Sequence, residues 1–325
     1  MMIPRYLPLL AGLACGWLAT PPVEPARADP VAVAARPVPL DPADPGLAVA
    51  GKLRYRGGLQ MVGAEPHFGG FSGLGISADG GRLVAVSDRG WRLSANLVYD
   101  AAGNLAGLKD ADMGSLSDLR GFPLTDRMEW EAEAMSPGVE GEIIIAFEGA
   151  HRLWRYFPGR TVPEPLPPPE ELAAMPPNSG IKGLTLLNDG RLLALTPGIR
   201  GRAGAIGWVS DSAGWSVLTY QAGDKFQVTG AATLPDGDAL LLERLFILRG
   251  GNAALLKRVP VKSIEAGAVL VGQTVAELRP PLTVDNFEGV EARRGANGET
   301  LIYLISDDNF NPEQRTLLMM FELLP

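Results

Sequence analysis

Short apolar runs recur along the chain, and the same few positions introduce each one. Five segments share the order polar residue, small residue, apolar residue, turn, apolar strand: "SGLGISADGGRLVAVSDRG" from Ser72, "EAMSPGVEGEIIIAFEG" from Glu133, "KGLTLLNDGRLLALTP" from Lys182, "TGAATLPDGDALLLER" from Thr229 and "EGVEARRGANGETLIYLISDDN" from Glu288. In the first four, the small residue precedes the turn glycine by seven positions: Gly73 to Gly80, Ala134 to Gly141, Gly183 to Gly190, Gly230 to Gly237. The fifth, Gly289 to Gly298, carries two extra residues. Asp-Gly and Asn-Gly supply the positive φ of tight hairpins. The pattern therefore predicts five hairpins whose second strands, LVAV, IIIAF, LLAL, ALLL and LIYLI, are deeply buried.

The small residues of successive copies lie about 47 to 61 residues apart, a length that suits a four-stranded propeller blade. Weaker strand-like runs follow the hairpins, such as "NLVYD", "HRLWRYF", "AIGWVS" and "ALLKRVPV", and would form the outer strands. "GKLRYRGGLQMV" near the N-terminus has no hairpin partner and is placed to complete the last blade beside "RTLLMMFEL". Such closure hides edge strands. The expected fold is an all-β propeller of five blades, closed by an N-terminal strand. The long interval between the first two copies leaves room for a divergent sixth blade. Five matched copies argue against two β-sandwiches with chance glycine spacing.

Composition supports this reading. Gly (40) and Pro (28) are abundant, as many short strands and turns require, and no long amphipathic helix is found. Residues 1–28 read as an export signal: Arg5 ahead of the apolar "LPLLAGLACGWLAT", then "ARA" at 26–28 as the cleavage site. The apolar run is too short to span a membrane comfortably. Residues 29–46 look like an extended or disordered Pro/Ala-rich linker, and 47–325 form the propeller domain. A Pro-rich stretch at 161–177 reads as a surface excursion. Cleavage would remove Cys15, the one cysteine, so the mature chain would have no disulfide or thiolate metal site. The net charge of -8 disfavours nucleic acid as a partner and is compatible with a bound cation.

Propeller geometry brings the residue before each first strand and the residues after each second strand to one face. The first set is Ser72, Glu133, Lys182, Thr229 and Glu288. The second is Ser87-Asp88-Arg89, Glu148, Thr196, Glu243-Arg244 and Ser306-Asp307-Asp308-Asn309, with Glu291 nearby. Carboxylates so close need neutralising, by cations of the chain or by a bound hard cation. Asp88, Glu133, Glu288 and His67 are the candidate catalytic groups. Glu148, Asp307, Asp308 and Asn309 are candidate ligands for Ca²⁺, although no EF-hand spacing is present. Arg89, Arg152, Lys182, Arg244 and Arg315 are candidates for binding an anionic substrate. His151 is a second possible base. Ser72 departs from the G-x-S-x-G context of a nucleophile. The bland alternative is a salt-bridge network that holds loops.

The segment "FGGFSGLGISADGGRLVAVSDRG", the E-A-M and K-G-L copies, "NFEGVEA" and "LISDDNFNPEQRTLLMMFEL" together resemble the secreted bacterial phytase-like family, or esterase-like activity of phytase. The resemblance runs from about residue 50 to the C-terminus, and S-D-D-N-F is its most specific motif. It implies hydrolysis of esters, including phosphate esters, and carries over to Ser87-Asp88-Arg89, Glu133, Glu148, Glu288, Asp307, Asp308 and Asn309. Lys182 stands where members commonly have Glu, and Ala134 where they have Gly. The R-H-G-x-R-x-P motif of histidine acid phosphatases is absent. The expectation is a periplasmic or secreted hydrolase of small phosphate or carboxylate esters, with Ca²⁺ polarising the ester. A non-catalytic binding or scaffolding propeller is the first alternative, and a lactonase-like propeller enzyme the second.

Overall fold

The computed structural model describes residues 24–198, 204–247 and 251–325. Most of the expected export signal, residues 1–23, lies outside the described residues. Five sheets stand around one axis. Their inner strands are Phe71–Ile76, Ala132–Pro137, Gly183–Leu186, Gln227–Thr233 and Phe287–Arg294, and each packs against the next until the fifth returns to the first. The interval suspected of hiding a sixth blade is spent on long strands of the first, Trp91–Tyr99 and Leu105–Ser115, and on a loop bearing the short helix Arg127–Trp130. The ring closes as expected: Leu53–Gly63 pairs antiparallel with the C-terminal strand Thr316–Leu323.

The small residue of each repeat exists because the inner strands crowd the axis. A Cβ on Gly230 would lie 2.6 Å from the Glu288 carbonyl of the next blade, and one on Gly73 would lie 2.6 Å from Met135 Cβ. Between the strands only a cavity of about 10 Å³ is left, enough for about one water. The second strands, by contrast, are buried on both faces, which is why they read as unbroken apolar runs rather than alternating ones. Their side chains build five separate cores, one in each gap between neighbouring blades.

The hairpin glycines at 80, 141, 190, 237 and 298 all have positive φ. The loops are longer than two-residue turns, however. In the last four copies three residues separate the closing hydrogen-bonded pair, as in Leu187 N–H to Arg191 O at 2.8 Å. The glycine alone takes the left-handed conformation, while the residue before it braces the loop: Asp189 Oδ1 accepts from the Arg191 N–H at 3.1 Å. This is the three-residue hairpin, one step longer than the Asp-Gly signal suggested.

Residues 29–46, expected as a linker, are in part built into the propeller. Val33–Pro37 adds to the outer edge of the closing blade, and Ala28–Pro30 to the outer edge of the first. The Pro-rich stretch at 161–177 is more than a surface excursion: Glu164–Leu166 is the fourth strand of blade two, and Leu172 in a following 3₁₀ turn is buried. Among the described residues no helix is long and apolar enough to cross a membrane.

The crowding at the axis gives a direct test. Gly230→Ala should lower stability by about 1–3 kcal/mol, since its Cβ meets backbone that cannot give way, while Ala134→Gly should cost only about 0.5–1 kcal/mol. Urea unfolding of the two variants separates the cases, and equal midpoints would refute the tight axial packing.

Candidate functional site

At one mouth of the channel the repeat's polar residue becomes a structural device. Strand register slips between Phe71 and Gly73, between Val228 and Gly230, and between Phe287 and Gly289. Ser72, Thr229 and Glu288 are the extra residues. Glu133 lies at the equivalent slip, where Ala132 pairs Phe147 and Ala134 pairs Ala146. A bulge re-aims one side chain without disturbing the rest of the strand. Lys182 takes the matching place just before Gly183 in blade three.

Two clusters fill this mouth. In the first, Lys182 Nζ lies 2.7 Å from Glu133 Oε2 and 3.2 Å from Glu148 Oε2, and the Gly180 N–H donates to Glu148 Oε1 at 2.7 Å. Burial works against the Lys182 charge, but Glu133, Glu148 and Glu288 outweigh it and raise its pKa, so it is a fixed cation. It therefore cannot deprotonate Ser72, whose buried hydroxyl shares the channel cavity and has no hydrogen-bond partner. In the second cluster Arg244 Nη1 reaches Glu288 Oε1 at 3.3 Å and also bonds Asn286 Oδ1. Asn286 Nδ2 donates to Glu288 Oε1 at 3.1 Å and to Asp307 Oδ2 at 3.3 Å. Asn286 is fully buried and joins the cluster together. It is the first residue of the quoted "NFEGVEA" motif, and only its side-chain bonds reveal its part.

Asp88 and Asp307 carry the most unusual electrostatics. Burial, then Glu133, push the Asp88 carboxyl up to about 7, against the pull of Arg89. Burial, then Glu288 and Asp88, raise Asp307 well above the usual carboxylate range. The S-D-D-N-F motif divides its labour between adjacent acids. Asp307 faces the cluster. Asp308 turns away and staples the loop, accepting from Gly70 N–H at 3.0 Å, Phe310 N–H at 3.1 Å and Thr316 Oγ1 at 2.9 Å. Asn309 and Phe310 both have φ of 50°, an uncommon state for an aromatic residue. It sets the Phe310 ring under the Arg89 guanidinium, 3.3 Å from Cζ to the ring centroid. Gly70, at φ 65°, lies so close that a Cβ there would overlap Asp88 Oδ1 and the Phe310 ring.

Other expected site residues are engaged elsewhere. Exposed His67 stacks on Trp91 at 4.1 Å. Arg152 lies over Phe147 and Trp154 and donates to the carbonyls of Ala150 and Glu129. Arg315 pairs with Asp285 at 3.2 Å and bonds Val284 O, clamping a loop. His151 bonds Pro176 O through Nε2. Glu243, one residue from Arg244, points the opposite way and is held by Tyr220, the Gly223 N–H and Lys257. Burial alone lifts Glu291 to about 8, with no ion pair to oppose it. For these residues the salt-bridge and packing reading describes the contacts.

The expected Ca²⁺ ligands do not fit a preformed site. Among the described residues no three His, Cys, Asp or Glu side chains converge so that they could hold a metal ion. Glu148 is taken by Lys182 and Gly180, Asp308 by the loop, and the Asn309 side chain by Gln314 at 3.1 Å.

The fold and mouth define a five-bladed propeller with a carboxylate-rich axial face. Residues 66–310 match the family model Phytase-like, esterase-like activity of phytase, and the chain belongs to that family. This places it among propeller proteins of esterase-like type. No curated protein matches it. Among solved structures, it is similar to a protein assigned as a gluconolactonase, at 14% identity and TM-score 0.43 over 90% of this chain and 99% of that one. It is also similar to a PQQ-bound aldose sugar dehydrogenase from Streptomyces coelicolor, at 12% identity and TM-score 0.42 over 93% and 99%. Likeness at that level says nothing about activity.

The Lys182 cluster predicts a pH-dependent variant. Lys182→Met leaves two buried carboxylates facing each other and should cost about 3–5 kcal/mol at neutral pH. Burial already holds the Glu148 carboxyl above its usual range against the pull of Lys182, and removing that pull raises it further, so the deficit should shrink as pH falls and grow as it rises. Chemical denaturation across pH reads this out, and a pH-independent deficit would contradict it.

Proposed function

We propose that the protein is an exported hydrolase of carboxylic esters that works at the acidic mouth. The observation that carries this is the crowding of Asp88, Glu133, Glu288 and Asp307 around a rim with too few cations, which raises the Asp88 carboxyl to about 7 and the Asp307 carboxyl well above its usual range. A carboxyl held near neutrality can act as a base, and a neighbouring raised carboxyl as an acid. Asp88 takes a proton from water as the water oxygen bonds to the acyl carbon. Arg89, steadied by Phe310, faces the developing oxyanion. The ester C–O bond then breaks, and the leaving alkoxide takes the proton of Asp307. Because the mouth is short of positive charge, an uncharged ester is favoured over a phosphate dianion. No step passes through a metal.

The test is hydrolysis of p-nitrophenyl acetate and p-nitrophenyl phosphate by the purified protein. The acetate should be cleaved, with a rate that rises with pH through about 7. Asp88→Asn should lower it about 10²–10⁴-fold, and chelation should leave it unchanged. Turnover of phosphate alone, or an active Asp88→Asn protein, would sink the reading. Export forms part of the proposal: the first residue of the protein recovered outside the cytoplasm should be Asp29.

A further inference from the structure

A second cavity lies away from the mouth. A groove of about 650 Å³ runs between blades one and two, within the size range of small-molecule sites. Its walls are largely apolar and include Val84, Pro137, Val139, Ile143 and Phe157. Val139, in the hairpin loop of blade two, is 84% exposed.

Most charged and phenolic groups along this groove are committed. Arg82 pairs with Asp112 at 3.0 Å. The Tyr156 hydroxyl donates to Ser117 O at 2.8 Å. Glu142 Oε2 accepts from the Glu140 N–H at 2.7 Å. Arg92 is half-buried and lines the groove, yet its guanidinium has no ion pair, hydrogen bond or ring contact among the described residues. A partly desolvated cation without a partner is costly and is normally satisfied. Its position is also informative. Arg92 pairs with Val86, near the mouth end of the strands, whereas Ser77, Gly138 and Val139 belong to the hairpin loops at the other end. The groove thus offers apolar walls at the loop end and a free cation at the far end.

We propose that this groove binds an amphiphilic monocarboxylate, with the carboxylate on Arg92 and the apolar body between the two blades. The fork of the guanidinium matches a carboxylate with two parallel hydrogen bonds. The site is separate from the acidic mouth and does not depend on the esterase reading.

Calorimetric titration of the whole protein with decanoate and with 1-decanol tests this. Decanoate should bind, and decanol at least about tenfold more weakly. Arg92→Met, which keeps the apolar stem, should weaken decanoate by about tenfold or more and leave decanol unchanged. Val139→Asp, at an exposed position that folding does not need, should also weaken decanoate. No heat with decanoate, equal binding of the alcohol, or full affinity in either variant would overturn the proposal.

Discussion

Five strands meeting around one axis leave no room for side chains at their closest approach. Glycine or alanine at that point is the constraint on which the rest of the propeller depends. With the axis closed by backbone, apolar burial moves outward into the gaps between blades, and each gap acquires its own core. The same closure shapes the mouth. In four of the five inner strands an extra residue next to the small one turns a polar side chain towards the mouth. The bulges at Ser72, Glu133, Thr229 and Glu288 supply that residue.

The chemistry of the mouth follows from this crowding. Carboxyl groups are brought together on a buried rim faster than cations are supplied. Lys182 and Arg244 each neutralise part of the set. The remainder shows as raised carboxyl pKa values at Asp88 and Asp307, because burial and like charges disfavour the ionised form. Asp88 and Asp307 therefore owe their character to position. Arg89 is fixed by stacking on Phe310, and among the described residues no carboxylate pairs with its guanidinium.

The repeat was legible because its elements are local. A glycine seven residues after a small residue, and a run of branched apolar residues after that, are demands of one hairpin on itself. The closing role of "GKLRYRGGLQMV" could be read for the same reason: an unpaired strand at one end needs a partner at the other. The mouth was legible only as a list of residues. Asp307 and Asp308 are neighbours in sequence and look equivalent, but one faces the Asn286 cluster and the other is used up by the Gly70 and Phe310 amides. Glu243 and Arg244 split in the same way, because adjacent strand residues point to opposite faces. Arg152 and Arg315, taken as substrate ligands, proved to have aromatic and loop partners. The expected calcium ligands are engaged in part by the chain itself: Glu148 by Lys182 and the Gly180 N–H, Asp308 by the Gly70 and Phe310 amides.

By itself the sequence determined the propeller repeat, the hairpin positions, the closure and the acidic bias of one face. Each follows from periodicity and from backbone conformations that only certain residues adopt. The five sheets of the structure excluded a sixth blade. Tertiary structure alone decided which acids share the mouth, which are spent on loops, and that Arg92 is left without a partner between two blades. Those outcomes turn on distances of a few ångströms between side chains from different blades, and no spacing along the chain encodes them.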